Sequence, residues 1–148
     1  TSPRFGEVAA NVEAALAAVP PGCDLAVLPE LFSTGYQFRS RDEVRALAEP
    51  IPDGPTTTRL LAFAAERGTH LVAGLCERAG ERLFNSAVLA RPDGRSAIYR
   101  KVHLFWDEKD LFDPGDLAFT VHEAAGTARA DVGHGVLLCC WHSAMRSS

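Results

Sequence analysis

Three residues that could act together in acyl-transfer chemistry each follow an apolar run of the sequence. The acid Glu30 ends the run LAVLPE, the cation Lys101 lies in YRKVHLF, and the thiol Cys139 closes GVLLC. Short apolar runs of this kind are typical of buried strands, so we expect the three side chains at strand ends. An acid, a cation and a thiol that meet there would form a site for acyl transfer.

The chemistry of a thiol explains why the other two residue types matter. A thiol attacks a carbonyl-like carbon as its thiolate, which is a minor species at neutral pH, so it needs a base within hydrogen-bond reach. A buried carboxylate such as Glu30 can serve, because desolvation favours the protonated form of a carboxyl group. The attack creates an oxyanion, which the ammonium of Lys101 and backbone N–H groups can stabilise where water is excluded. A thioester would form at Cys139, and water would then release the acid.

Hydrophobic periodicity and turn residues predict the elements that position these side chains. Apolar residues at helical spacing predict a helix over 5–19, and a helix over 57–67 has a threonine available as its N-cap and Gly68 just past its end. Mixed helices and hairpins favour a layered α/β sandwich over a parallel doubly wound fold. The remaining predictions are a short helix at 41–48, loops at 31–39 and 106–116 (the latter a loop or short helix), strands at 24–28, 70–76, 83–90, 97–102, 117–121 and 135–140, and a hairpin turn at 92–94.

Composition narrows the class of protein. The chain has 148 residues, which fits one domain, with 47% hydrophobic residues and a net charge of −4. It has no basic cluster and no apolar stretch of membrane-spanning length, so we expect neither a nucleic-acid nor a membrane partner. No signal peptide is evident, and the cysteines at 23, 76, 139 and 140 form no C-x-x-C pair. We therefore expect a cytoplasmic protein with reduced thiols and no disulfide framework.

The segments around the three residues resemble the signature segments of the nitrilase (carbon–nitrogen hydrolase) superfamily. These are LAVLPELFSTGY with Glu30, YRKVHLF with Lys101 and GVLLC with Cys139, and FNSAVLARPDGR and EKDLFDPGD match as well. The resemblance covers most of residues 3–139 in the expected order. Each motif alone is weak, but three in order are strong evidence of common ancestry.

The resemblance implies an αββα sandwich that hydrolyses non-peptide C–N bonds of small amides, nitriles or carbamoyl compounds, with no cofactor and no metal. It makes Glu30 the general base, Lys101 the cation for the oxyanion and Cys139 the nucleophile. Glu108 matches a second glutamate of the family and is expected to support the site beside the lysine and the substrate. The intact family domain is expected to form homo-oligomers.

Both ends depart from the family pattern. The first strand and the C-terminal part of the domain are absent, so residues 1–148 are expected to form an incomplete carbon–nitrogen hydrolase domain, a partial sandwich. The tail 141–148 does not match the family, which suggests a fragment or a frameshift product. The alternative to an impaired enzyme is therefore a catalytically inactive remnant. Exposed apolar faces and strand edges would make such a chain poorly soluble.

Several residues admit a second interpretation. Taken alone, Glu30 and Glu108 could be solvated surface acids, and Cys139 a small apolar core residue. Tyr36 and Trp106 could line a pocket or pack in the core. The remaining expectations are that Asn85 and Ser86 serve the sheet and support the site, that His103 is structural, and, as a minor alternative, that His134, Cys139, Cys140 and His142 bind zinc.

Overall fold

The computed structural model describes residues 3–124 and 128–131. Within these residues helices are mixed with strands along the chain, as the sequence predicts for an α/β sandwich. The elements, in chain order, are α1 (Val8–Ala17), β1 (Leu25–Val27), α2 (Arg41–Leu47), α3 (Pro55–Arg67), β2 (His70–Ala79), β3 (Arg82–Ala90), β4 (Ser96–Arg100), α4 (Glu108–Leu111), β5 (Val121–Ala124) and β6 (Ala128–Asp131).

The main sheet has four strands in the order β1-β2-β3-β4. β1 pairs with β2 in parallel, whereas β2, β3 and β4 follow one another as antiparallel hairpins. Gly80 and Gly94 have φ of 62° and 81° in the two hairpin turns, a conformation that side chains disfavour. The hairpin turn predicted at 92–94 is confirmed, and the mixed sheet excludes a simple parallel fold. β5 and β6 form a separate two-stranded antiparallel sheet.

Side chains alternate between the two faces of the main sheet, and α1 and α3 cover one face. Leu71, Ala73 and Leu75 of β2 point to that face and are at most 3% exposed. They pack against apolar side chains of both helices, including Leu16 and Leu60. Burial of one such leucine stabilises the fold by roughly 1.5–3 kcal/mol, so this layer holds the sheet in place.

The opposite face of the sheet carries the polar residues that are central to the site. Gly74 of β2, Asn85 of β3 and Lys101, which directly follows β4, all lie on this face, because the strand register pairs Cys76 with Asn85 and Ser86 with Arg100. Apolar clusters lie on either side of these residues. One cluster contains Leu31, Val44, Ala48, Cys76, Leu83 and Phe112, and the other contains Val72, Ala87, Leu89 and Tyr99.

Two sequence predictions about element ends were wrong. The N-cap of α3 is Gly54 rather than a threonine, and Pro55 occupies the first turn, where its missing N–H costs nothing. The carboxylate of Glu49 replaces a cap, since it accepts hydrogen bonds from the N–H and the hydroxyl of Thr56 at 2.8 and 2.7 Å. The strand predicted at 117–121 begins only at Val121. The strand predicted at 135–140 lies outside the described residues.

Candidate active site

Glu30 reaches the sheet through a close approach of two main chains. After β1 the chain continues along β2, where Leu28 N–H donates to Val72 O at 2.7 Å and Phe32 N–H to Gly74 O at 3.3 Å. A Cβ atom on Gly74 would lie only 2.6 Å from the Cα atom of Glu30. Only glycine leaves room for this contact, so the residue type at position 74 determines where Glu30 lies.

Lys101 is held by its main chain on both sides. Its N–H donates to Asn85 O and its carbonyl accepts from Gly115 N–H, both at 2.9 Å. A Cβ atom on Gly115 would lie 2.1 Å from Arg100 O, so this position also requires glycine. The side chain of Lys101 is 6% exposed and points to the same face of the sheet as Asn85. Its ammonium is therefore desolvated and needs partners.

Glu108, the first residue of α4, also turns its side chain toward the sheet. It is 6% exposed and accepts hydrogen bonds from Tyr36 Oη and from Phe105 N–H, both at 2.7 Å. Burial alone would raise the pKa of Glu108, but the bonds from Tyr36, Phe105 and Lys101 outweigh it and lower that pKa below the ordinary value. Glu108 is therefore ionised at neutral pH.

The four side chains of Glu30, Asn85, Lys101 and Glu108 form one buried cluster. Lys101 Nζ lies 2.9 Å from Glu30 Oε1 and 2.9 Å from both carboxylate oxygens of Glu108. Asn85 Nδ2 donates to Glu30 Oε1 at 2.6 Å and to Glu108 Oε1 at 3.0 Å. The structure thus brings together Glu30, Lys101 and Glu108, which are separated by 71 and 7 residues along the chain.

The two carboxylates of the cluster are not equivalent. Both oxygens of Glu108 accept hydrogen bonds, from Tyr36, Asn85, Lys101 and Phe105. Glu30 accepts from Asn85 and Lys101 at Oε1 alone, and its Oε2 has no hydrogen bond among the described residues. The site therefore contains one saturated carboxylate that balances the ammonium and one carboxylate with an oxygen open to a proton.

The nucleophile predicted from the sequence, Cys139, lies outside the described residues. So do the tail 141–148 and the alternative zinc ligands His134, Cys140 and His142. Burial raises the pKa of Cys76 to about 12, with Glu49 adding to the shift, so that thiol is protonated and inert at neutral pH. Across residues 3–124 and 128–131, His, Cys, Asp and Glu side chains form no group of three that suits a metal ion, and no helix there is long and apolar enough to cross a membrane.

Aromatic residues lie next to Glu108 of the cluster, to which the Tyr36 hydroxyl and the Phe105 N–H donate. Tyr36 is 48% exposed although its hydroxyl reaches Glu108. Phe105 and Trp106 stack with ring centroids 5.7 Å apart, and Trp106 is 77% exposed, so neither packs in the core. His103 is exposed and lies beyond β4, which ends at Arg100. It therefore does not extend the strand face on which Lys101 lies.

Two contacts of the cluster were not predicted from the sequence. Asn85 was expected to support the site, but its amide contacts both carboxylates directly. Tyr36 was expected to line a pocket or pack in the core, whereas it donates to Glu108 across 72 residues of sequence. The alternation within FNSAVLA places Asn85 on one face of a strand, but only the strand register shows that Lys101 shares this face.

A family model described as carbon-nitrogen hydrolase matches residues 1–147. The chain belongs to the carbon–nitrogen hydrolase family. It is 51% identical over 102 residues to a nitrilase of Pyrococcus abyssi, covering 69% of the chain and 39% of that protein. It is 36% identical over 121 residues to an (R)-stereoselective amidase of a Pseudomonas species, covering 80% of the chain and 43% of that protein.

Solved structures share the fold. A CN-hydrolase superfamily protein of Xanthomonas campestris superposes with a TM-score of 0.72 at 29% identity, over 86% of the chain and 48% of that protein. An amidase of a Nesterenkonia species superposes with a TM-score of 0.63 at 30% identity, over 84% of the chain and 49% of that protein. The chain thus spans less than half the length of each of these four relatives. The expected fold class, a partial nitrilase-type sandwich, is confirmed by these likenesses.

Proposed function

We propose that this family member hydrolyses a non-peptide C–N bond of a small amide, nitrile or carbamoyl compound by way of a thioester. The observation that carries the proposal is the buried contact of one ammonium, Lys101, with two carboxylates, Glu30 and Glu108, in which only Glu30 keeps an oxygen open. The similarity to a nitrilase and an amidase supports the same chemistry.

In the first half of the proposed reaction Glu30 Oε2 takes the proton of the Cys139 thiol. The sulfur attacks the carbonyl carbon of an amide, and the carbonyl π electrons move to oxygen, where the ammonium of Lys101 balances the charge. The tetrahedral intermediate collapses to a thioester, and the C–N bond breaks. The leaving nitrogen receives the proton from Glu30, so ammonia departs and Glu30 is again a carboxylate.

In the second half the same groups act on water. Glu30 takes a proton from a water molecule, whose oxygen attacks the thioester carbonyl, and Lys101 again balances the oxyanion. The C–S bond breaks, the thiolate recovers the proton from Glu30, and the acid leaves. Glu108 remains ionised throughout, because the donors that surround it hold its pKa low, and it keeps the ammonium in place.

Ammonia release tests the proposal directly. The purified chain is incubated with a panel of small amides, nitriles and carbamoyl compounds, and ammonia is measured over time. We expect release with at least one compound and its loss in Cys139→Ala. Cys140→Ala is the matched control, because it removes the neighbouring thiol and leaves Cys139 in place. Release that persists in Cys139→Ala would refute the thiol mechanism.

The alternative is a catalytically inactive remnant of such an enzyme. It is favoured by the expectation that CWHSAMRSS, the sequence after Cys139, departs from the family motif, although the family match extends to residue 147. A folded wild-type chain that releases no ammonia from any member of the panel, and whose Cys139 fails to react with a thiol-directed electrophile, would support the remnant over the enzyme.

A further inference from the structure

Asn85 contacts every charged residue of the cluster. Its side-chain amide donates to Glu30 at 2.6 Å and to Glu108 at 3.0 Å, and its main-chain carbonyl accepts from Lys101 N–H at 2.9 Å. The residue is 1% exposed and lies in the middle of the central hairpin strand β3. Asn85 therefore contributes hydrogen bonds to the two buried carboxylates in addition to its place in the sheet.

The orientation of this amide is fixed by the two carboxylates. Asn85 Oδ1 is buried and has no hydrogen-bond partner among residues 3–124 and 128–131, which is uncommon for a buried polar atom. A rotation of the amide by half a turn would place Oδ1 against both carboxylate oxygens, which repel it. The cluster therefore keeps both N–H groups on the acids and leaves the amide oxygen unpaired, although that is unfavourable for folding.

We propose that Asn85 is a positioning residue that holds Glu30 in the orientation in which it can act as base; the proposal rests on the function proposed above. Glu108 places both of its oxygens 2.9 Å from Lys101 Nζ. Glu30 presents only Oε1 to the ammonium, and the Asn85 amide binds this same oxygen. Without the amide, Glu30 is free to turn both oxygens to Lys101, and Oε2 is then withdrawn from proton transfer.

A spectroscopic experiment tests the contacts without any need for hydrolysis. The chain has two asparagines, Asn11 and Asn85, so selective ¹⁵N-asparagine labelling gives two pairs of side-chain NH₂ signals, and the pair lost in Asn85→Asp belongs to Asn85. Asn11 is the internal control, because its amide donates to the main-chain carbonyls of Arg4 and Ser33. We expect Glu30→Gln to shift the Asn85 signals and leave those of Asn11 unchanged. Asn85 side-chain signals whose chemical shifts do not change in Glu30→Gln would overturn the proposal.

A kinetic experiment tests the positioning role itself. Asn85→Asp keeps the size and shape of the side chain but replaces the amide donor by a third carboxylate beside Glu30 and Glu108. The kcat per folded protein should therefore fall about 10- to 100-fold with little change in KM, which is the loss expected when a hydrogen bond to a charged group is removed. Asn11→Asp is the matched control and should keep kcat. A purely structural role predicts lower stability at unchanged kcat, which would overturn the proposal. If the wild type releases no ammonia, the proposed function fails, while the labelling experiment still decides whether Asn85 contacts Glu30.

Discussion

Replacing Lys101 by methionine should destabilise the fold strongly. The ammonium is 6% exposed and is the cation that contacts both Glu30 and Glu108. Methionine fills a similar volume but leaves two buried carboxylates facing each other. Removing one partner of a buried ion pair costs about 3–5 kcal/mol, because the remaining charge is left unpaired. Solvent screens the interaction between these charges only weakly, because their side chains are 6% exposed.

Urea unfolding followed by circular dichroism measures this loss. For an m value of about 2 kcal/mol/M, a loss of about 4 kcal/mol lowers the midpoint by about 2 M. The matched control is Lys109→Met, the same change at the chain's other lysine, which is exposed on α4 and should alter stability by less than about 0.5 kcal/mol.

A second substitution separates charge from packing. Lys101→Met/Glu108→Gln removes one of the two opposed carboxylates, so it should recover about 1–3 kcal/mol of the loss, the range expected for groups in direct contact. Lys101→Met that unfolds at the wild-type midpoint, or a double variant that recovers nothing, would refute the view that paired charge holds this cluster.

Three further outcomes follow from the same contacts. Gly74→Ala should cost about 1–3 kcal/mol in urea unfolding and lower the rate of ammonia release, because its Cβ would lie 2.6 Å from the Glu30 Cα atom. The pKa of Glu108 is lower in the folded chain, so the unfolded chain binds more protons as the pH falls. The free energy of unfolding should therefore decrease as the pH drops below about 4.3 and on through the folded-state pKa of Glu108. Urea midpoints measured from pH 7 to pH 3 should decline less in Glu108→Gln than in the wild type. Glu77→Gln weakens an ion pair whose carboxylate side is 2% exposed and should cost about 3 kcal/mol in urea unfolding. Asp93→Asn, at an exposed ion pair, should leave the urea midpoint nearly unchanged.

The sequence predicted those elements whose signal is local. Helical spacing located α1 and α3, and the turn residues Pro92-Asp93-Gly94 located the hairpin between β3 and β4, because these signals depend on a few consecutive residues. The cap of α3 was predicted wrongly because Glu49, which replaces it, comes from a segment that lies beside β2, and its main chain bonds to Cys76 and Arg78. No local pattern shows that a residue outside the helix supplies the cap.

The sequence motifs predicted the charged residues of the site but not all of the contacts between them. Glu30, Lys101 and Glu108 were singled out by resemblance, and the structure brings the three together. The contacts of Asn85 and Tyr36 depend on strand register and on a hydrogen bond from the loop at Tyr36 to the first residue of α4, which are long-range features. Sequence spacing alone does not show that one carboxylate is saturated with donors while the other keeps an open oxygen.

The proposed reaction requires that Glu30 and Lys101 act on the sulfur of Cys139. Acid-quenched mass spectrometry of the chain during turnover of an amide tests this directly. We predict an acyl adduct on Cys139, located by fragmentation of the peptide that also holds Cys140, and formation of that adduct at least about 100-fold more slowly in Glu30→Gln. An adduct on another cysteine, or one that forms equally fast without the Glu30 carboxylate, would contradict the account.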